Sequence, residues 1–367
     1  MSRIITFLGK ADTRHTTLAI ATAKWFAQYS QRVLLVTHNP NPSAELLLET
    51  SLKATPQEIA PNLSVVQLQA TVLLEQVWEE VKKWLALYLP SSVKMEMYSG
   101  EVIILPGFDS LLSFNALRKY YQSEDYDVII YDGRGDLESL RMLGIPNIAD
   151  WYFRRFREAL ESLDLSKIAD SIGGPLASAL LSANMDTRKV QDAIVQIQDW
   201  IAKSVAVVGD AKRLSAYLVT TDEPAAIAEA RWLWGSAQQV DLRVSGVLAY
   251  QSYEAANKTE LEQAFAPLEV NLIPELQKHN WQPLLDALPD FKTIPYVPQP
   301  LTVDLAQRQV RLFLPGLSKS QVKLTQLGTE LTVEAGDQRR NIVLPNELLN
   351  QPVTGGKFEE PYLVISF

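Results

Sequence analysis

No cysteine occurs in the 367 residues, which rules out disulfides, thiolate metal sites and cysteine nucleophiles. Histidine is nearly as scarce: His15, His38 and His279 are the whole supply, a poor basis for a zinc centre, so no zinc is expected. Long apolar runs are missing too. Nothing approaches the ~18 consecutive apolar residues of a membrane span, so an integral membrane protein is not expected. Long basic runs are also absent and the net charge is −9, which argues against a nucleic-acid partner. A strand-like run begins within the first few residues, so no secretory signal is expected, and a cytoplasmic protein is the default. What is plentiful is ordinary globular material, 47% hydrophobic and 21% charged. That is enough for one large α/β core and a second small unit.

Apolar runs and helical periods alternate along most of the chain. Ile4–Leu8 reads as a first strand and Thr16–Tyr29 as the helix after it. Val33–Val36, Leu63–Leu68, Tyr126–Tyr131, Tyr217–Thr220 and Val244–Tyr250 are further strand candidates. Leu74, Val77, Trp78, Val81, Trp84, Leu85 and Tyr88 recur at helical spacing within Ala70–Leu89. Continuous apolar strands separated by helices predict an α/β fold, a doubly wound and mostly parallel sheet covered on both faces. Residues 147–210 break the rhythm: Trp151, Phe153, Phe156 and Leu160, then Val190, Ile194, Ile197 and Ile201, share helical periods. This stretch reads as a helical insertion, its apolar residues either packing on one another or lining a groove for an apolar client.

From about residue 305 the period changes to two. Val310–Leu314, Val322–Leu324, Glu330–Val333, Ile342–Leu344 and Tyr362–Phe367 are short runs separated by turn pairs such as Pro315-Gly316 and Gly336-Asp337. They predict a small β-sandwich over 305–367, entered through Pro295, Pro298 and Pro300. The remainder, 1–304, is the α/β domain.

The first turn carries the chemistry. Strand, polar turn and a helix opening on Thr16-Thr17 is the frame of a phosphate-binding loop. Glycines in such a loop allow positive φ and keep side chains out of the anion's space. Gly9 is present, but Ala11, Asp12 and Arg14 stand where glycines are favoured, and His15 stands where the phosphate lysine belongs. Lys10 and Arg14 bring positive charge, Asp12 brings negative charge, and His15 replaces a lysine only when protonated. Thr13 completes the turn, and an ordinary strand–helix turn without a ligand is the competing reading. Asp132 ends an apolar strand and is followed by Gly133-Arg134-Gly135-Asp136, the Walker-B arrangement for Mg²⁺, with Thr16 as the other metal ligand. The second strand ends at His38 and Asn39, where a water-activating carboxylate would stand; an amide orients a water but accepts no proton.

Four stretches resemble the ArsA family of P-loop ATPases, which includes arsenite-pump and tail-anchored-protein targeting ATPases. The family's Gly-Lys-Gly-Gly-Val-Gly-Lys-Thr-Thr falls on Gly9–Thr17, with Lys10 matching the lysine that reaches across a dimer. Its first switch, Asp-Pro-Ala-His, falls on Asn39-Pro40-Asn41-Pro42. A Pro-Gly-x-x-Glu segment resembles Leu105–Asp109, and the second switch falls on Asp132–Leu143, keeping Leu140 and Arg141. The adenine-reading Asn-Gln becomes Tyr250-Gln251, and a later Pro-x-x-Pro loop resembles Pro295–Pro298, with Val297 inside it. Leu314-Pro315-Gly316-Leu317 and Arg339-Arg340-Asn341-Ile342 resemble the α-crystallin-type domain that some members carry as a tail. The resemblance implies ATP or ADP with Mg²⁺, a catalytic place for Asn39 and Asp132, and a possible homodimer. The paired-cysteine zinc clamp of the eukaryotic members is impossible here. Three readings stay open: an active ATPase, a weak nucleotide binder that hydrolyses little and holds an apolar client, and a nucleotide-independent chaperone or interaction module. The tail is either a chaperone or a stabilising cap.

Overall fold

The computed structural model describes residues 2–9, 14–38, 42–88, 98–105, 107–161, 187–250, 258–278, 280–328, 330–349 and 351–367. For 84–88, 99, 156–161 and 187–194 it describes the backbone alone. The described chain divides into two compact units, Met1–Leu68 with Leu117–Gly144 and Val207–Phe367, and Gln69–Ala116 with Ile145–Ala206.

An eight-stranded sheet organises the first unit. Its strands are β1 (Arg3–Gly9), β2 (Val33–Thr37), β3 (Gln57–Ala60), β4 (Leu63–Gln67), β5 (Val128–Asp132), β6 (Leu214–Thr220), β7 (Arg243–Tyr250) and β8 (Val270–Ile273). Their order is β3-β4-β2-β5-β1-β6-β7-β8, and every pairing is parallel except β3 with β4. β5 and β6 are buried at every position, the pattern of strands covered on both faces. The edge strands β3 and β8 are four residues each, too short to show a period. Against the sheet lie α1 (His15–Gln28), α2 (Ser43–Leu48), α5 (Leu137–Leu143), α8 (Pro224–Gln239), α9 (Lys258–Phe265) and α10 (Gln282–Ala287). Along α1, Ala19, Ala21 and Ala23 are buried beside Leu18, Ile20, Trp25 and Phe26. Small residues allow close approach to the strands, and the large ones fill the space around them.

The tail belongs to the same unit. It forms a four-stranded antiparallel sheet from β9 (Leu301–Asp304), β10 (Gln309–Phe313), β14 (Gly355–Glu359) and β15 (Tyr362–Ser366), and a three-stranded one from β11 (Val322–Leu327), β12 (Glu330–Ala335) and β13 (Gln338–Val343). Val310 and Leu312 of the first sheet and Leu331, Val333 and Ala335 of the second share one apolar cluster, which is the alternation a sandwich requires. The sequence reading names neither Leu301–Asp304 nor Gly355–Glu359 as strands. Both are short edge strands with no fully buried residue, Leu301 and Phe358 alone packing on the core from them.

The tail is seated on α8, where Leu233–Gln239 are all buried. A Cβ on Gly235 would stand 2.3 Å from the Pro315 carbonyl oxygen, and one on Gly336 would stand 2.6 Å from Ser236 Oγ. Trp234 and Phe313 meet edge to face at 5.3 Å, and Arg340 donates to the Gln238 carbonyl and to Asp241.

The second unit contains α3 (Ala70–Tyr88), most of α4 (Phe108–Ser123), α6 (Ile145–Glu161) and most of α7 (Thr187–Val208). Leu73, Leu74, Leu112 and Ile201 are buried within it, and Phe114 meets Trp200 edge to face at 6.3 Å. Ile148 and Tyr152 of α6, Val195 and Ile197 of α7, and Leu111 of α4 are exposed. Residues 162–186, with Leu163 and Gly173-Gly174-Pro175, lie outside the described residues. Among the described residues no helix is long and apolar enough to cross a membrane.

Candidate functional site

β1 and β5 are parallel neighbours, so their carboxyl ends bring Gly9 and Asp132 to one edge of the sheet, the edge where open α/β sheets bind ligands. His15 and Thr16 open α1 beside them. Thr16 Oγ1 donates to Asp132 Oδ1 at 3.1 Å, and His15 Nε2 stands 3.9 Å from the same oxygen. Asp132 is 2% exposed. Burial pushes its carboxyl up to about 7, with the Thr16 hydroxyl pulling the other way. His15 is shifted in the opposite sense: burial holds its imidazole below the ordinary value, against a backbone hydrogen bond to Gly133 and the Asp136 carboxylate. Burial thus favours the neutral imidazole, and the buried Nδ1 of His15 has no hydrogen-bond partner among the described residues.

Arg14, the residue before α1, has φ 54° and ψ 37°, the left-handed region in which a glycine costs nothing. Two contacts hold it there. Its Nη1 pairs with Glu275 Oε1 at 2.8 Å, and the buried Tyr250 hydroxyl donates to its carbonyl at 3.4 Å. Burial raises the Tyr250 phenol well above its ordinary value. The guanidinium of Arg14, expected as positive charge for a phosphate, is paired with the Glu275 carboxylate.

The loop after β5 is tied back to the first turn. The Gly9 amide donates to the Gly135 carbonyl at 2.9 Å, and the Gly135 amide donates to Ser139 Oγ at 3.1 Å. Gly135 has φ +72°, and a Cβ there would crowd the Gly9 carbonyl oxygen at 3.3 Å, so a side chain would be strained at this position. Asp136 caps α5 by accepting from the amides of Glu138 and Ser139. At the end of β2, the His38 amide donates to the Asp132 carbonyl at 2.9 Å. His38 Nδ1 lies 2.9 Å from the Tyr131 hydroxyl.

The structure thus brings together Gly9, Arg14, His15, Thr16, Thr17, Asp132 and Tyr250. Lys10, Ala11, Asp12, Thr13, Asn39 and Gln251 lie outside the described residues. Pro295 and Val297 are not brought to this edge. The Phe291 carbonyl accepts from Arg3, at the start of β1, and the Pro298 carbonyl accepts from Arg243, at the start of β7. The segment between them follows the amino edge of the sheet. Arg243 and Tyr250 end an eight-residue strand, which at about 3.3 Å per residue separates the two edges by more than ~20 Å. The loop that reaches Arg14 is the one after β8, which carries Glu275. The Pro-x-x-Pro spacing marks a loop at the amino edge, whereas Pro274-Glu275 directly after a short apolar run marks the loop that reaches Arg14.

Thr16 and Asp132 are hard oxygen donors at hydrogen-bonding distance, a set that suits Mg²⁺. Among the described residues no group of three or more histidines, cysteines or carboxylates could hold a metal by itself.

Comparison with known proteins agrees with this architecture. The family described as anion-transporting ATPase matches residues 2–277, a range that includes Glu275 and stops short of Pro295. A second family, described as the HSP20-like domain found in ArsA, matches 306–367. A protein named "Putative arsenical pump-driving ATPase" from Chlorobaculum tepidum is 24% identical, covering 100% of this chain and 96% of its own length. "Putative arsenical pump-driving ATPase 1" from Aquifex aeolicus is 21% identical, covering 99% of each. "ATPase ASNA1 homolog 1" from Paramecium tetraurelia is 24% identical over 39% of this chain and 43% of its own. With a continuous match over the whole parallel sheet and a second over the tail, the chain belongs to the ArsA family of anion-transporting ATPases and carries that family's HSP20-like domain at its C-terminal end.

Proposed function

We propose that this protein is a nucleotide-binding member of the family that hydrolyses ATP slowly or not at all. One observation carries the reading: the residue in the place of the phosphate lysine, His15, is partly buried beside Asp132, and that burial favours its neutral imidazole. A neutral imidazole contributes no full charge to the phosphates. The replacement of lysine is therefore a loss of transition-state stabilisation, which in such sites is worth several kcal/mol. Asn39 in place of the switch aspartate removes the proton acceptor as well.

Binding is retained on the same reading. Gly9, Arg14 and the start of α1 keep the frame of the anion turn, Arg14 in the left-handed conformation, and helix N-termini favour phosphate. Thr16 and Asp132 would hold Mg²⁺, whose part is to neutralise phosphate charge. Deprotonated Asp132 is the form that binds it, so occupancy rises with pH. Tyr250 walls the turn beside Arg14. The α/β domain, 1–304, would hold the nucleotide, and the tail, 305–367, would act as a stabilising cap.

Titration calorimetry with ATP and ADP, with and without Mg²⁺, between pH 6 and 8, tests binding. The expected result is weak, Mg²⁺-assisted affinity, with phosphate release at the level of the blank. No heat at millimolar nucleotide eliminates the proposal, and vigorous phosphate release converts it to an active ATPase.

A client role has its own support. Ile148 and Tyr152 lie one turn apart on α6 and both are about half exposed, and Val195, Ile197 and Leu111 of the same unit are exposed as well. Exposed apolar residues of this kind suit an apolar segment of another protein. Crosslinking from Tyr152, replaced by a photoreactive residue, to a hydrophobic helical peptide tests it, and absence of crosslinks at saturating peptide removes the client.

A further inference from the structure

The second switch and the tail touch at one polar contact. Arg141, on α5, donates through Nη2 to Asp337 Oδ2 at 2.7 Å and to the Asp337 carbonyl at 3.3 Å. Asp337 sits in a two-residue hairpin turn: Ala335 pairs with Gln338, and Gly336 and Asp337 have φ +60° and +58°, the mirror-image turn that matches strand twist. That turn is held from behind. Gly336 packs on Ser236 with no room for a Cβ, the Gln338 side-chain Nε2 donates to the Ser236 carbonyl at 3.1 Å, and Arg340 reaches Gln238 and Asp241. Asp337 is a fixed anion presented to α5, while its partner belongs to a helix of seven residues.

From α5 the contacts continue into the site. Ser139, in its first turn, accepts from the Gly135 amide, and the Gly135 carbonyl accepts from the Gly9 amide. At its other end, Gly144 lies under Val240 with a would-be Cβ at 2.7 Å from Val240 Cγ1. Burial of Leu140, Met142 and Leu143 sets how deep α5 sits. The Asp136 cap and the Ser139 and Met142 contacts orient it from within, and Arg141–Asp337 adds a contact on its outer side.

We infer that Asp337, in the tail, is a positioning residue of the nucleotide site, acting through Arg141 and α5 on the loop Gly133–Asp136 and so on Gly9. The inference rests on the proposed nucleotide reading for its consequence, and its mechanical part stands on the contacts alone. The HSP20-like tail then orients the second switch in addition to capping α8. Arg141 and Asp337 are half and three-quarters exposed, so the effect is modest and screened by salt.

Hydrogen exchange on the full chain tests the link, since the amides of Gly9 and Gly135 report it with no nucleotide present. Asp337→Asn keeps the left-handed turn, which asparagine tolerates, and removes the charge. Exchange at Gly9 and Gly135 is expected to quicken by about two- to fivefold at low salt, with the difference fading in high salt. Arg141→Gln should do the same, and the double variant no more than either alone. Glu360→Gln is the control: Glu360 pairs with Arg231 of α8 at 3.4 Å and does not touch α5, so those two amides should not change. Unchanged exchange in Asp337→Asn, or an equal change in Glu360→Gln, overturns the inference. In calorimetry, Asp337→Asn should weaken ADP binding by the same factor as Arg141→Gln, and full affinity with quickened exchange also overturns it. A wild-type protein that binds no nucleotide counts against the functional reading, and the exchange rates still decide the link.

Discussion

Thr16 Oγ1 donates to Asp132 Oδ1 at 3.1 Å, and Asp132 is buried at the end of β5. A hydroxyl is a weak partner for a buried carboxylate, which is why burial wins and the carboxyl titrates near 7. Its folded value is above the unfolded one. The associated stability is therefore complete below about pH 4 and is lost as pH rises through 7. Asp132→Asn should remove that loss, worth at most about 4 kcal/mol for a shift of this size. Urea unfolding at pH 5 and pH 8 measures it. Wild type and variant showing the same pH slope would contradict it. The variant should also lose the Mg²⁺ dependence of nucleotide binding.

His15 runs the other way. Its folded value is depressed, so its contribution to stability is present above about pH 6.5 and falls as pH drops through the lower folded value. In the Asp132→Asn background, acidification below pH 6.5 should destabilise, and His15→Gln should abolish that trend. A flat profile in the Asp132→Asn protein would show that His15 is not buried as described.

His15→Lys restores a permanent charge at the phosphate position. One charge-assisted hydrogen bond is worth about 1.5–3 kcal/mol, or roughly ten- to a hundredfold in affinity. Calorimetry with ATP at pH 7.5 should show tighter binding of that order. No gain would mean that the turn does not face the phosphates.

Arg14 pays for a left-handed backbone that glycine adopts freely, a strain of about 1–2 kcal/mol. Its exposed pair with Glu275 returns less than about 1 kcal/mol. Arg14→Gly should therefore be neutral or stabilise by about 1 kcal/mol, while Glu275→Ala should cost less than about 1 kcal/mol. Thermal unfolding of both variants decides this, and marked destabilisation by Arg14→Gly would reverse the balance.

Gly235 sits inside α8, where alanine ordinarily gains about 1 kcal/mol. Here a Cβ would meet the Pro315 carbonyl at 2.3 Å. Gly235→Ala should instead destabilise by about 2–3 kcal/mol, whereas Gly355→Ala, with open space around it, should be neutral. Equal melting temperatures for the two variants would mean that the tail is not seated on α8.

Much of this protein was legible along the chain. The apolar strands of the parallel sheet stood out because they are buried on both faces and need no partner to be recognised, and the turn pair Gly336-Asp337 marked its hairpin by composition. The positions of His15 and Asp132 were equally plain, since both are matters of residue type at a known spacing. The edge strands β3, β8, β9 and β14 were not, because strands of four or five residues are too short to leave a periodic trace.

Residue order and side-chain chemistry determined the fold class and the residue types that stand in the first turn. Tertiary structure alone decided that Glu275 answers Arg14, that Pro295 and Val297 fall on the far edge of the sheet, that Asp132 loses its solvent, and that Asp337 meets Arg141. The division is physical: propensity and periodicity act over a few residues, whereas desolvation and pairing depend on which distant segments the packed sheet brings into contact.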